Sequence, residues 1–144
     1  MHVIDASALA KLVLDERESP AFRAWYRDCV SHGERLFAPD LLPYELANTL
    51  WRRLSDPRAL PEDATRDIVR DALIHVDLDH EAWARIGPWR GRLTAYDAAY
   101  LSLAAAKGAT LVTYDERLAA VARAWVTVES PGRTTAGVGP PQPF

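Results

Sequence analysis

Short apolar runs alternate with longer stretches of helical periodicity along the whole chain, a pattern that predicts strands separated by helices. Val3-Ile4 reads as a buried strand, followed by a helix over residues 7–14 with Ala8, Leu9, Leu12 and Val13 at helical spacing. The polar run Asp15-Glu16-Arg17-Glu18-Ser19-Pro20 breaks that pattern. A helix starting near Pro20 then carries Phe22, Trp25, Tyr26 and Cys29 or Val30, and Gly33 is expected to end it. Leu36-Phe37-Ala38 gives a second strand, and residues 41–54 form a strongly amphipathic helix closed by Asp56-Pro57. Pro61-Glu62-Asp63 opens another helix in the manner of a helical first turn.

Residues 74–78 alternate as a strand with Ile74, Val76 and Leu78 on one face, and residues 81–89 are expected to be helical until Gly87-Pro88 kinks or ends them. A nearly all-apolar helix follows over residues 94–107, stopped by Gly108. Leu111-Val112-Thr113 is a buried strand, residues 116–124 a helix, and residues 125–128 a last strand. Strands joined by helices imply a mainly parallel sheet covered on both faces, because parallel neighbours need crossover connections. The expected fold is therefore a three-layer α/β/α sandwich. It occupies residues 1–130 as one domain, with a Gly- and Pro-rich tail over residues 131–144 expected to be disordered.

Composition narrows the setting. A chain of 144 residues with 49% apolar content suffices for a single core. Cys29 is the only cysteine, so neither an intrachain disulfide nor a cysteine metal cluster can form, which fits a reducing cytosol. No cationic leader precedes the first strand and no apolar run approaches the roughly 18 residues of a membrane span, so a cytoplasmic protein is expected, with no membrane partner. The net charge of -3 argues against a non-specific electrostatic nucleic-acid binder, yet it is compatible with a nuclease built on an acidic metal site. Lys11 and Lys107 are the only lysines among 17 basic residues, so phosphate contacts would be made mainly by guanidinium groups.

Three acids stand where solubility does not explain them, and a fourth joins them through its neighbours. Asp5 and Asp115 follow apolar strands and precede helices, at the carboxyl edge where α/β sheets bind ligands, although either could simply be an N-cap. Asp97 has capping-box spacing with Thr94 and is expected to reach back to the Thr94 amide, but the helix it opens is apolar on nearly every side. Glu45 lies off the apolar arc of Leu46, Leu50 and Leu54, where a glutamate is usually just solvated. Asn48 and Arg52 share its side and could meet an anionic substrate with it. Together the four would make an all-oxygen anionic site of the kind Mg²⁺ or Mn²⁺ prefers, suited to phosphodiester hydrolysis. His2, His32, His75 and His80 are scattered without a ligand motif.

In order and context these acids resemble those of the PIN-domain ribonucleases, specifically the small VapC-type toxins of prokaryotic toxin–antitoxin pairs. The matching pieces are Val3-Ile-Asp5-Ala-Ser7-Ala-Leu, Pro43-Tyr-Glu45-Leu-Ala-Asn48, Leu93-Thr-Ala-Tyr-Asp97-Ala-Ala-Tyr-Leu-Ser-Leu-Ala and Leu111-Val-Thr113-Tyr-Asp115-Glu-Arg-Leu. The resemblance implies that Asp5, Glu45, Asp97 and Asp115 are catalytic and hold the metal, with the Ser7 and Thr113 hydroxyls supporting them. Asp115, with Glu116 beside it, is the acid expected to touch metal indirectly. It further implies Mg²⁺- or Mn²⁺-dependent cleavage of a structured RNA such as tRNA or rRNA, homodimerisation, and neutralisation by a cognate antitoxin.

The stretch Gly87-Pro88-Trp89-Arg90-Gly91 departs from the uninterrupted helix more usual in that family and could reshape the groove beside the site. Arg90 and Arg92 are candidate contacts for RNA phosphate or an acidic antitoxin segment, or ordinary surface charges. Trp25, Trp51, Trp83, Trp89 and Tyr100 could stack on bases, although core and dimer packing is the default for most. Three other readings stay open: a PIN-fold binding module without turnover, a housekeeping PIN nuclease, and a phosphohydrolase using Asp5 as nucleophile. The last would normally place a second Asp where Ser7 stands.

Overall fold

The computed structural model describes residues 1–54, 62–73 and 76–134. Five parallel strands form one sheet in the order β3-β2-β1-β4-β5, with β1 at His2–Ile4, β2 at Leu36–Pro39, β3 at Val76–Asp79, β4 at Thr110–Val112 and β5 at Val128–Glu129. The helices are α1 (Ala6–Leu9), α2 (Ser19–Ser31), α3 (Leu42–Arg53), α4 (Glu62–Leu73), α5 (Ala95–Lys107) and α6 (Glu116–Ala122). The expected three-layer α/β/α architecture is what the chain adopts.

The connection order explains where a site can form. From β1 the chain steps outward to β2 and β3, then returns past β1 to lay down β4 and β5 on its other side. β1 and β4 thus flank the point where the winding direction reverses, and loops leaving their carboxyl ends must diverge and leave a crevice. Ile4 pairs with Val112 at this edge, and the Asp5 amide donates to the Val112 carbonyl at 3.2 Å.

α5 packs against β1, β2 and β4. Its continuous run from Ala98 to Ala104 is buried, and the small side chains of Ala98, Ala99 and Ala104 allow close packing around it. Leu101 and Leu103 are wholly buried, worth about 2 kcal/mol each in apolar area removed from water. Gly108 ends the helix at φ 58°, in the left-handed region that glycine tolerates at a helix C-terminus.

Three predicted elements differ from the structure for local reasons. The helix expected over residues 7–14 is α-helical only to Leu9, then tightens into a 3₁₀ turn at Ala10–Leu12. The early end is stabilised by the Arg23 guanidinium, which donates to the carbonyls of Lys11, Leu12 and Leu14 and so satisfies acceptors that further helical turns would have used. Residues 81–89 form two 3₁₀ turns, Ala82–Arg85 and Gly87–Trp89, instead of an α-helix: Pro88 has no amide to donate, and Asp79 binds the Glu81 amide and the Arg85 guanidinium, folding the segment tightly. The last strand begins at Val128, not residue 125, because the Trp125 and Val126 amides still bond to the Ala122 carbonyl.

The expected helix end at Asp56-Pro57, the Pro61 helix start, the Ile74 and His75 positions and the disorder of residues 135–144 lie outside the described residues. Residues 131–133 are tied to the body. The Tyr114 hydroxyl donates to the Pro131 carbonyl at 2.6 Å, and Arg133 donates to Glu18 at 3.0 Å. Gly132, at φ 86°, lies so close to α2 that a Cβ there would stand 2.7 Å from that of Ala21.

Candidate functional site

Asp5 caps α1. One carboxylate oxygen accepts from the Ala8 amide at 2.9 Å and the Ser7 hydroxyl at 2.7 Å, and the other accepts from the buried Thr113 hydroxyl. Thr113 also accepts from the Asp115 amide at 3.0 Å, so one hydroxyl joins the acid after β1 to the acid after β4. Ser7 adds a second tie by accepting from the Tyr114 amide at 2.9 Å. Burial pushes the Asp5 carboxyl up to about 6; the hydrogen bonds from Thr113, Ser7 and Ala8 oppose this, and the negative charge of Asp115 reinforces it.

Asp115 caps α6 by accepting from the Leu118 amide at 2.9 Å. Asp97, in the first turn of α5, accepts from the Thr94 hydroxyl at 2.7 Å, while its own amide donates to that hydroxyl at 3.1 Å. The expected reach to the Thr94 amide is thus replaced by a bond to the Thr94 side chain. Glu45 projects from the first turn of α3 and is half-buried, where the amphipathic pattern suggested a solvated surface residue. Its carboxyl is held above the ordinary range chiefly by burial and further by the charges of Asp5, Asp97 and Asp115, while Tyr100 acts in the opposite direction. The four acids therefore share one electrostatic field.

They also line one open cavity of about 370 Å³. Asn48, Arg52 and Arg53 stand on its α3 wall and Tyr100 on its α5 wall. Arg53 is a member that sequence reasoning missed, and Tyr100, expected only as a possible base-stacking or packing aromatic, stands beside the acids instead. Arg53 lies two helical turns from Glu45, a spacing that could have revealed it; the role of Tyr100 is masked by the apolar run around it. Of the two neighbouring acids, Asp115 faces this cavity, while Glu116 is exposed and pairs with Arg133 at 3.6 Å.

Other candidates fall away from the cavity. Arg90 and Arg92 are exposed and outside its lining. Trp89 is buried edge-on against Trp125, Trp25 packs on Phe22 and His2, and Trp51 and Trp83 are exposed at 77% and 67%. His2 pairs with Glu34, His32 with Asp28 and His80 with Asp40, all away from the four acids, and His75 is outside the described residues.

The chain matches the PIN domain over residues 2–124. It belongs to the PIN domain family. Ribonuclease VapC3 of Pyrobaculum aerophilum is 34% identical over 134 residues, covering 87% of this chain and 97% of that protein. Exonuclease VapC9 of the same organism is 30% identical over 132 residues, covering 90% and 91%. The crystal structure of PAE2754 from Pyrobaculum aerophilum superposes with a TM-score of 0.58 at 30% identity, covering 83% of this chain and 84% of that one. This is a VapC-type PIN domain.

The donor set of this PIN domain fits a divalent cation. Every acid at the cavity offers oxygen, and two of them are held toward protonation, a state that a bound cation reverses. Among the described residues no three His, Cys, Asp or Glu side chains are drawn together tightly enough to grip an ion as they stand. Asp5 is fixed by its hydrogen bonds, so closure on an ion would fall to the side chains on α3 and α5.

Proposed function

We propose that this PIN domain is a divalent-metal-dependent endoribonuclease, with Asp5, Glu45, Asp97 and Asp115 as its metal-holding and catalytic acids and Mg²⁺ or Mn²⁺ as the ion. The observation that carries the reading is the convergence of four acids from four distant chain segments on one cavity, two of them desolvated. A divalent cation bound there would supply Lewis-acid charge, lowering the pKa of an attacking water and neutralising the scissile phosphate. The protein's own part is positional. Asp5 is locked by Ser7, Thr113 and the α1 amide; Asn48, Arg52 and Arg53 offer an amide and two guanidinium groups to a phosphate chain crossing the rim.

The ribonuclease name of the Pyrobaculum relative supports RNA as substrate. By the same kinship, the protein is a toxin acting on structured RNA such as tRNA or rRNA, held in check by a cognate antitoxin, homodimeric and cytoplasmic. Among the described residues no helix is long and apolar enough to cross a membrane. Tyr44 and Trp51, two helical turns apart on one face of α3 and exposed at 81% and 77%, offer an apolar surface for such assembly.

The test is incubation of the protein with a circularised RNA and Mn²⁺, with ends mapped afterwards in cells expressing the wild type or Asp5→Asn. Opening of the circle by the wild type alone is expected. A circle left intact while linear RNA is shortened from its ends would make the enzyme an exonuclease, the activity named for the other Pyrobaculum relative.

A further inference from the structure

Tyr100 follows Asp97 by one helical turn on α5, whose start is capped by the Thr94 side chain at the Asp97 amide. Its side chain is 2% exposed, yet it reaches the wall of the acidic cavity. The hydroxyl is sealed from water and completes no hydrogen bond of full geometry, although the Glu45 carboxylate lies within its influence. Burial foremost, and then the nearby charges of Glu45, Asp5 and Asp97, hold the phenol well above its ordinary range. Phenylalanine would fill the same space without desolvating a donor.

The neighbouring acceptors differ in what they have free. Both Asp5 oxygens are engaged by Ser7, Ala8 and Thr113, Asp97 takes the Thr94 hydroxyl, and Asp115 takes the Leu118 amide. Tyr100 and Glu45 line the same cavity, and the phenol acts on the Glu45 carboxylate as a donor would, lowering its pKa against the effect of burial. An unsatisfied buried donor therefore stands beside the acid whose carboxylate is least committed. Asp5, Asp97 and Asp115 are each anchored by a hydrogen bond at the start of a helix, whereas Glu45 stands in the first turn of α3 without a capping bond, so it has the most freedom to be misplaced.

We propose that Tyr100 is a positioning residue for Glu45: when the site takes up a divalent cation, the phenol donates a hydrogen bond to one oxygen of the Glu45 carboxylate and turns the other toward the ion. This rests on the metal-dependent reading above. A hydrogen bond to a ligating carboxylate fixes its orientation, and loss of such a support typically weakens metal binding about 10- to 100-fold.

The experiment is calorimetric titration of Mn²⁺ into the wild type and Tyr100→Phe, paired with thermal unfolding of both proteins without metal. Metal-free Tyr100→Phe is expected to be at least as stable as wild type, because its buried hydroxyl is gone, while Mn²⁺ affinity falls about 10-fold and the Mn²⁺ concentration for half-maximal RNA cleavage rises by the same factor. Adding Glu45→Gln to Tyr100→Phe should then weaken Mn²⁺ binding no more than Glu45→Gln alone. Equal Mn²⁺ affinity in wild type and Tyr100→Phe overturns the role, as does a metal-free variant that unfolds more easily in step with its lost affinity, or full additivity with Glu45→Gln. A wild type that binds no Mn²⁺ overturns the metal reading itself and this inference with it.

Discussion

The acidic cavity and the ion chain beside it hold carboxylates in opposite states. Asp5 and Glu45 are kept above the usual range, chiefly by burial, with other carboxylates as neighbours. Glu16 and Glu18, in the loop between α1 and α2, are kept below it by the cations they bond: Lys11 foremost for Glu16, and Arg133 foremost for Glu18, which is held down to about 2. Lys11 is 3% exposed, bonds both glutamates and lies 4.3 Å over the Tyr114 ring. With Arg53 on Glu16 and Arg133 on Glu18, the charges alternate from the rim of the cavity to the C-terminal segment.

The difference lies in whether compensation is built in. The ion chain carries its own counter-charges, so its buried ammonium is satisfied and the loop, α3 and residues 131–133 are held together. Among the described residues no cation acts on Asp5 or Glu45, although Arg52 and Arg53 stand on the cavity wall, and these desolvated acids are left for a ligand to satisfy. Such a site costs the apo fold stability and repays it on binding.

Asp5→Asn breaks the comparison most severely. Cleavage is expected to fall more than about 100-fold, because a charged support of the cation is lost. Metal-free stability should rise at pH 7: the shift of Asp5 from 3.8 to about 6 corresponds to at most about 3 kcal/mol against the ionised form. The sign also sets a pH profile. Asp5 is raised on folding, so its contribution is full below about pH 4 and is lost as pH climbs through 6; Glu18 is lowered, so its contribution is present above about pH 4 and is lost as pH falls toward 2. Denaturant titrations of the metal-free protein should therefore show stability declining on both sides of pH 4 to 5, with the neutral-side decline reduced in Asp5→Asn and by added Mn²⁺.

Lys11→Met, next in size, removes the cation between two glutamates. It should cost about 3 kcal/mol in urea unfolding and change RNA cleavage by the folded fraction less than about threefold. A loss of cleavage at full stability would instead place Lys11 in the site. Gly132→Ala should cost about 2 kcal/mol, from a side chain forced at positive φ and into Ala21, and should speed proteolysis near residue 130. Glu116→Gln is the smallest: with an exposed pair to Arg133 it should shift stability by less than about 0.5 kcal/mol and leave cleavage within twofold, whereas Asp115→Asn impairs it.

Much of the fold was legible because the strands are short apolar runs and the helices carry clear periodicity. Errors came where side chains replaced backbone partners: Arg23 ended α1 early, and Asp79 with Pro88 coiled residues 81–89 into 3₁₀ turns. Asp5, Asp97 and Asp115 stood out by following strands or opening a buried helix. Glu45 did not, since periodicity reports which face is apolar and not what another helix places opposite the polar one. Arg53, Lys11 and Tyr100 were hidden for the same reason: a long cation and a phenol look like surface and core until their partners, far away in sequence, are known.

By itself the sequence determined the βα alternation, the parallel sandwich and the carboxyl-edge position of Asp5 and Asp115, because hydrophobic periodicity and strand-to-helix turns are local properties. Only the tertiary structure decided that Glu45 and Asp97 meet them in one cavity, that Glu116 does not, and that a buried lysine locks the loop beside it. Those outcomes depend on strand order across the β1–β4 reversal, where desolvation and charge act between residues more than a hundred positions apart.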